Sequence, residues 1–297
     1  MKKIITLVLI LFSLGGCAVP NETDVIQITV TTTMIHDLVE QIGKDRVEVY
    51  GMMQAGVDPH SHKARPSDVL AIDQADIIVY NGVNLEAKLS DVFDSLKDSK
   101  HFIIKLEDGI NPNDILYDVN LGTPDPHIWF DVTLWKQAAI WVEHGLSQYD
   151  PASQDYYQKN LDNYLLELEA LEAYIFTEIE LVAPEKRVLV TAHDAFNYFG
   201  HAYGFEVFGV QGLNSQSEAG IRDINLLADM IIKRGIRSVY SESSVPIKTV
   251  EALLASVNDR NYHMELGGEL FSDSLKENTD YINTFKKNVD TIVSGLK

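Results

Sequence analysis

Apolar and polar positions along the chain follow a pattern that switches repeatedly between strand and helix. Residues 27–33 (QITVTTT) alternate with a period of two, and residues 34–43 have the spacing of an amphipathic helix that ends at Gly43. The same succession then recurs, with strands predicted at 46–53, 76–82 and 101–106 and helices at 66–75 and 84–96. Alternation of this kind predicts parallel βα units with right-handed crossovers.

The middle of the chain carries one long helical pattern. From residue 151 to residue 182 there is no glycine, and no proline follows Pro151. Apolar residues recur at intervals of three and four, at Tyr157, Leu161, Tyr164, Leu168, Leu171 and Ile175. The spacing predicts a single helix of about 30 residues, roughly 45 Å long at 1.5 Å per residue. Asp150 and Ser153 are the candidates for its N-cap.

Beyond this helix the strand–helix alternation resumes. Strands with their following loops are predicted at 188–194, 205–210, 238–244 and 262–273, and helices at 195–204, 219–235, 246–257 and up to Leu296. The fold class is therefore α/β, with two βα lobes of parallel sheets and helices on both faces, joined by one long backbone helix. The predicted divisions are an N-terminal lobe at 26–150, a linking helix at 151–182 and a C-terminal lobe at 183–297.

The N-terminus has the features of an export signal. Lys2 and Lys3 precede a short apolar run, residues 4–14, which ends in Leu-Gly-Gly-Cys. Small residues before a cysteine at this place resemble the lipobox of bacterial lipoproteins, in which the cysteine becomes the lipidated first residue. We therefore predict a signal peptide at 1–16, lipidation of Cys17 and a polar tether at 17–25 on the extracytoplasmic face of the membrane. An uncleaved anchor and an ordinary signal peptide are the alternatives.

Composition narrows the classes of function. Cys17 is the single cysteine, so its lipidation leaves no thiol for a disulfide. The formal net charge is −20, which excludes nucleic acid as a partner because no basic surface survives that balance. An acidic surface raises the local concentration of cations. The charge also has a plain interpretation, since it keeps a surface protein soluble.

Four ionisable side chains stand where a site is expected. In α/β lobes, ligands bind outside the carboxyl ends of the strands. His60, His193 and Asp273 each follow a predicted strand, and His127 lies in a second Asp-Pro-His loop. Three imidazoles and one carboxylate form a complete ligand set for a borderline divalent metal such as zinc, whereas Ca²⁺ and Mg²⁺ prefer oxygen cages. Without a thiolate, copper(I) is not favoured.

Several neighbouring residues have weaker claims to the site. His62 is an alternative to His60, but Pro59 stiffens the position of His60. Glu242 follows a strand, points towards the cleft and is a candidate for orienting a ligating imidazole through its N–H. Asp194 is expected to cap the helix after His193. The remaining histidines are interpreted as structural or solvent-facing, namely His36, His101, His144, His201 and His263.

An ordered set of motifs covers nearly the whole mature chain: the lipobox, GVDPHSH with a following PSD, ADIIVYNG, DPHIWFD, TAHDAFNYFGHAYG, VYSESSV and LFSDSL. The set resembles the metal-receptor lipoproteins of bacterial ABC importers of manganese and zinc, the cluster A-I or solute-binding protein 9 family. The resemblance implies that His60, His127, His193 and Asp273 are the metal ligands. Two features depart from the family pattern: SLKENTDY replaces a glycine-rich run after LFSD, and no histidine-rich insert is present.

The resemblance implies a monomeric receptor that captures Mn²⁺ or Zn²⁺ between its lobes and hands the ion to a membrane permease. We expect metal to order only the loops around His60 and Asp273, because a long linking helix resists wide hinge motion. A secreted zinc-dependent hydrolase is one alternative, although the sequence contains neither H-E-x-x-H nor G-x-S-x-G. A surface adhesin without a transport role is another.

Overall fold

The computed structural model of the protein describes residues 25–96, 101–118, 122–213 and 220–297. The predicted signal peptide at 1–16, the predicted lipidation site Cys17 and all but the last residue of the tether lie outside these residues. Across the described ranges, no helix combines the length and the apolar character needed to cross a membrane.

The N-terminal half is built on one parallel sheet. Its strands are β1 (Ile26–Val30), β2 (Val47–Gly51), β3 (Ile77–Tyr80) and β4 (Phe102–Lys105), in the spatial order β2-β1-β3-β4. The associated helices are α1 (Thr33–Gly43), α2 (Pro66–Gln74), α3 (Ser90–Leu96) and α4 (Val132–Tyr149). Since every pair is parallel, the carboxyl ends of β1, β2 and β3 meet at one edge, where the chain continues into loops.

The C-terminal half contains two parallel strand pairs. β5 (Val188–His193) pairs with β6 (Glu206–Gln211), and β7 (Ser238–Glu242) pairs with β8 (Glu265–Leu270), while β5 also lies beside β7. The helices are α6 (Asn197–Tyr203), α7 (Ile221–Arg234), α8 (Lys248–Asn258) and α9 (Tyr281–Leu296). The predicted α/β class with parallel sheets is confirmed.

The long helix α5 (Gln154–Ile179) connects the two halves, and a 3₁₀ turn at Pro151–Ser153 precedes it. The helix is therefore shorter at both ends than the predicted 151–182. All six apolar positions of the predicted stripe are buried, as is Ile179. Helix α5 packs against α1 and α4 of the N-terminal half and against α9 of the C-terminal half.

Of the two predicted N-cap candidates of this helix, Ser153 has the predicted position and Asp150 does not. The carboxylate of Asp150 accepts hydrogen bonds from Arg46 at 2.7 Å and from the Tyr157 hydroxyl at 3.0 Å. Ser153 occupies the N-cap position, but its side chain makes no capping hydrogen bond within the described part of the chain. The carboxylate instead joins the first turn of α5 to the start of β2, because a charged partner is a stronger donor than a backbone amide.

One apolar core runs through both halves. Trp135 of α4 stacks on Tyr281 of α9 with ring centroids 5.0 Å apart, and its indole N–H donates to the Tyr164 hydroxyl of α5 at 3.1 Å. Three helices from three parts of the chain thus meet at a single aromatic contact. Interiors of this kind are close-packed and do not deform continuously. Helices α4, α5 and α9 therefore share one close-packed contact.

We expect Leu168→Ala to lower the free energy of unfolding by about 2–5 kcal/mol, since the side chain is fully buried between the halves and its removal leaves a cavity. Urea unfolding followed by circular dichroism measures the change. Leu166→Ala on the same helix is the matched control, because Leu166 is 62% exposed and its loss is expected to change stability by less than about 0.5 kcal/mol. Equal losses for the two variants would contradict the bridging role of this face.

Candidate metal centre

The four predicted ligand residues are brought together at the junction of the two halves. His60 lies in the loop between β2 and α2, and His127 lies just before the 3₁₀ turn that leads into α4. His193 is the last residue of β5, and Asp273 comes three residues after the end of β8. All four are buried, with His127 and His193 fully enclosed. Their role as metal ligands stays a prediction, but their convergence is a property of the fold.

The repeated Asp-Pro-His sequence is a repeated turn. In each copy the aspartate side chain accepts the backbone N–H of the histidine two residues later, Asp58 from His60 at 2.8 Å and Asp125 from His127 at 3.0 Å. An aspartate that bonds its own backbone in this way mimics a backbone turn. The intervening proline fixes φ. Both imidazoles are thus presented from the same stiffened geometry.

The spacing of the ligand atoms matches a small coordination sphere. Nε2 of His60 and Nε2 of His127 are 3.3 Å apart, and Nε2 of His127 is 3.4 Å from Oδ1 of Asp273. Nε2 of His193 is 3.3 Å from the other oxygen, Oδ2 of Asp273. All four ligand atoms lie within 4.8 Å of one another. Donor atoms this close together can share one divalent transition metal.

Two of these ligand atoms have unused bonding capacity. Nε2 of His193 and Oδ1 of Asp273 are buried and make no hydrogen bond with the residues that the structure describes. Buried polar atoms without a partner are rare and costly in folded proteins. Because the two oxygens of Asp273 face different histidines, the carboxylate is able to offer one or both of them to a cation.

Carboxylates at the Nδ1 atoms of His127 and His193 fix the orientation of the two imidazoles. Oε1 of Glu242 accepts a hydrogen bond from the backbone N–H of His193 at 2.8 Å. Oε2 of Glu242 lies 2.6 Å from Nδ1 of the His193 ring, which is ion-pair distance but out of line for a hydrogen bond. Oδ1 of Asp125 lies 2.7 Å from Nδ1 of His127. In both cases a carboxylate at Nδ1 leaves Nε2 facing the centre, as in carboxylate–histidine–metal arrangements.

Two residues that shape the site were not identified from the sequence. The first is Asp125, for which the repeated Asp-Pro-His was the available signal. The second is Ser244, whose hydroxyl donates to Oδ2 of Asp273 at 3.3 Å and lies 3.1 Å from the Ser272 hydroxyl. No local pattern indicates Ser244, because its partner is 29 residues further along the chain.

The site is strongly polarised. Burial lowers the pKa of His60 to about 4. Burial opposes protonation of His127 as well, but the neighbouring carboxylates of Asp125 and Asp273 outweigh it and raise the pKa of His127 to about 9. The pKa of Asp273 is held well below its usual range by the three imidazoles, although burial opposes this shift. The three buried carboxylates of Asp125, Glu242 and Asp273 thus create a site that favours positive charge.

The alternatives to these ligands are placed elsewhere. The His62 ring lies 3.2 Å from the buried carboxylate of Asp68, outside the cluster, so the structure places His60 rather than His62 beside the other ligands. His201 is exposed. The expected capping role of Asp194 is wrong: Phe196 occupies the N-cap position of helix α6, and the Asn197 side-chain amide donates to the Asp194 backbone carbonyl at 3.4 Å.

Fold and site together define the class: an α/β protein of parallel strands that encloses a cation-sized group of three imidazoles and one carboxylate between two halves. The family described as ZnuA, zinc-uptake complex component A, periplasmic, matches residues 28–295. The chain belongs to this family.

Individual relatives agree with this assignment. The manganese-binding lipoprotein MntA of Bacillus subtilis (strain 168) is 37% identical over 96% of both chains. The zinc-binding protein TroA of Treponema pallidum (strain Nichols) is 39% identical over 91% of this chain and 88% of its own length. The solved structure of TroA from Treponema pallidum has a TM-score of 0.87 at 38% identity and covers 91% of this chain and 98% of that chain.

We expect Glu242→Gln to weaken metal binding by about 10- to 100-fold, because the substitution removes the negative charge that lies 2.6 Å from Nδ1 of His193. Competition with a chromophoric zinc chelator measures the affinity, and circular dichroism checks that the variant is folded. Glu251→Gln removes the same charge from an exposed position of α8 and is expected to leave the affinity unchanged. Identical affinities for the two variants would show that Glu242 does not orient the ring.

Proposed function

We propose that the protein is an extracytoplasmic solute-binding lipoprotein that captures Mn²⁺, Zn²⁺ or both and delivers the ion to an ABC permease for import. The carrying observation is the convergence of His60, His127, His193 and Asp273 on one buried point between the halves. The first two ligands come from the N-terminal half and the last two from the C-terminal half. A cation held there is bonded to both halves at once, which suits capture and release better than storage in a rigid cage.

Capture is favoured over catalysis by the fourth ligand. A catalytic zinc keeps an open position for water and is held by three protein ligands. Here Asp273 faces two of the imidazoles at 3.3–3.4 Å and occupies the place that a water would need. A secreted hydrolase would require this carboxylate to move aside. An adhesin without a transport role would have no use for four buried ligand atoms.

We expect the metal that is imported to be determined by release of the ion to the permease as well as by binding affinity. The relatives carry names for both metals, manganese for MntA and zinc for TroA. The Irving–Williams order makes a site of three nitrogens and one carboxylate bind zinc more tightly than manganese. A protein that serves manganese import would therefore need its permease to reject the zinc-loaded form. Transport and binding have to be measured separately for this reason.

The rest of the proposal concerns location and motion. Relatives named as lipoproteins support lipidation of Cys17 after removal of residues 1–16, which anchors a monomer to the outer face of the membrane. We place the N-terminal lobe at 26–150, the linking segment that contains α5 at 151–182 and the C-terminal lobe at 183–297. The core shared by α4, α5 and α9 supports motion confined to the loops around His60 and Asp273.

We expect His127→Ala to abolish metal binding, since this ring contacts both the His60 ring and the Asp273 carboxylate. The measurement is elemental analysis of protein purified without a histidine tag, together with the metal-dependent rise in melting temperature that mass action predicts. His201→Ala, which removes an exposed imidazole, is expected to keep full metal content. Stoichiometric metal in the His127→Ala variant would exclude the proposed centre.

Transport is tested in a strain that lacks the gene for this protein. We expect the wild-type chain to restore uptake of radioactive manganese or of zinc, and Asp273→Ala not to restore it, because the variant loses the carboxylate ligand. Immunoblotting of membranes checks that both proteins are present in equal amount. Restoration of uptake by Asp273→Ala to the wild-type level would contradict the proposed function.

Retention of a Cys17→Ser variant in the membrane fraction would contradict the proposed anchor.

A further inference from the structure

The segment that carries Asp273 belongs to the C-terminal half but is attached to the N-terminal half. Ser272, Asp273, Ser274 and Leu275 follow β8 and have no regular secondary structure, yet each is more than nine-tenths buried. Loops normally lie on the surface because their backbone groups need partners. This segment, which we call the aspartate loop (residues 272–275), finds several of its partners across the junction.

Three hydrogen bonds cross from the N-terminal half to the aspartate loop. The Trp129 indole N–H donates to the Ser272 carbonyl at 2.9 Å. The Leu275 N–H donates to the Thr33 hydroxyl at 2.8 Å. The Gly56 N–H donates to the Ser274 hydroxyl at 2.8 Å. These bonds lie on both sides of Asp273 in the sequence, so they determine where its carboxylate stands relative to the N-terminal histidines.

The bond between Gly56 and Ser274 differs from the other two. Trp129 and Thr33 belong to a helical turn and a helix, whereas Gly56 lies in the loop at residues 52–65 that carries His60. The bond therefore joins two ligand-bearing loops directly. The Gly56–Ser274 bond also uses a side chain of the aspartate loop, whereas the bonds to Trp129 and Thr33 use its backbone.

The local backbone is shaped for this contact. Gly56 has φ of +78°, a left-handed conformation that glycine adopts without the steric cost paid by other residues. Val57 N–H donates to the Gln54 carbonyl at 3.1 Å, which closes a turn around Gly56. A Cβ placed on Gly56 would lie 3.6 Å from the Ser243 carbonyl, so this turn rests against the C-terminal half. The turn aims the Gly56 N–H at the neighbouring loop.

We infer that Ser274 is a positioning residue that couples the His60 loop to the aspartate loop and so slows release of the bound metal. The inference rests on the proposed function and deepens it. The hydrogen bond requires both loops to be in place, and a departing metal frees both of their ligands. Removing the Ser274 hydroxyl therefore destabilises the metal-bound protein, in which the two loops are joined, more than a protein in which the loops have separated. We expect the change in the dissociation rate of the metal, as is usual for contacts formed within a complex.

The expected size of the change in dissociation rate follows from the solvent exposure of Gly56, the partner of Ser274. Gly56 is exposed, so water can bond to its N–H once the loops separate. The free energy lost on removing the hydroxyl is therefore the net value of one hydrogen bond. This corresponds to metal dissociation about threefold to tenfold faster. The association rate is expected to stay unchanged, because in this inference the bond acts after the metal has bound, by holding the two loops together.

The test measures dissociation of Zn²⁺ from the full chain into excess chelator by stopped flow, for Ser274→Ala, Ser274→Thr and Ser274→Val. We expect faster release for the Ala and Val variants and near wild-type release for Thr, which keeps the hydroxyl. Thr and Val have the same shape, so their comparison isolates the hydroxyl from any packing change at this buried position. Thr279→Ala is the matched control, because its hydroxyl bonds only to Lys276 and Thr284 among the described residues.

Equal dissociation rates for Thr and Val, or a change confined to association, would overturn the role of Ser274. The proposed function would still stand after such a result if the wild-type protein binds metal and the His127→Ala variant does not. Wild-type protein that binds no metal would instead refute the proposed function itself. The two failures are therefore distinguishable in the same set of proteins.

Discussion

The placement of one buried carboxylate, that of Asp273, constrains the rest of this structure. Its oxygens lie 3.4 Å from Nε2 of His127 and 3.3 Å from Nε2 of His193, one ring from each half of the molecule. A buried carboxylate is costly unless a positive charge or several hydrogen bonds compensate it. The two halves must therefore stay together around it, and the compensation has to come from protonated rings or from a cation. The metal binding that we propose for these residues would meet that electrostatic demand.

The scaffold meets the demand by being stiff where the halves join and irregular where the ligands lie. Helix α5 shares an aromatic core with α4 and α9, centred on Trp135, Tyr164 and Tyr281. Close-packed interiors of this kind resist gradual deformation. The loops that follow β2 and β8 carry His60 and Asp273, and the proposed metal-dependent motion is confined to them. Rigidity and access are thus provided by different parts of the chain.

Local chemistry accounts for how much of the fold and of the site could be predicted. Period-two and period-3.6 patterns identified the strands and the buried face of α5, because burial on one face is recorded in the spacing of apolar residues. Asp-Pro-His indicated His60 and His127, because an aspartate and a proline are sufficient to stiffen a turn. The capping expectations failed for Asp150 and Asp194. A side chain near a helix start also has distant partners, and Arg46 competes successfully for Asp150.

By itself, the sequence determined the α/β class, the long helix and the identity of four residues that converge, since each depends on periodicity, on the ends of strands or on the repeated Asp-Pro-His. Tertiary structure alone decided the distances of 3.3–3.4 Å between their ligand atoms. It also decided that the Ser244 hydroxyl donates to Asp273 and that the Ser274 hydroxyl accepts from the Gly56 N–H, across 29 and 218 residues of chain. Contacts at such separations follow from how distant segments pack within and between the two halves, and no local pattern of residues records that packing.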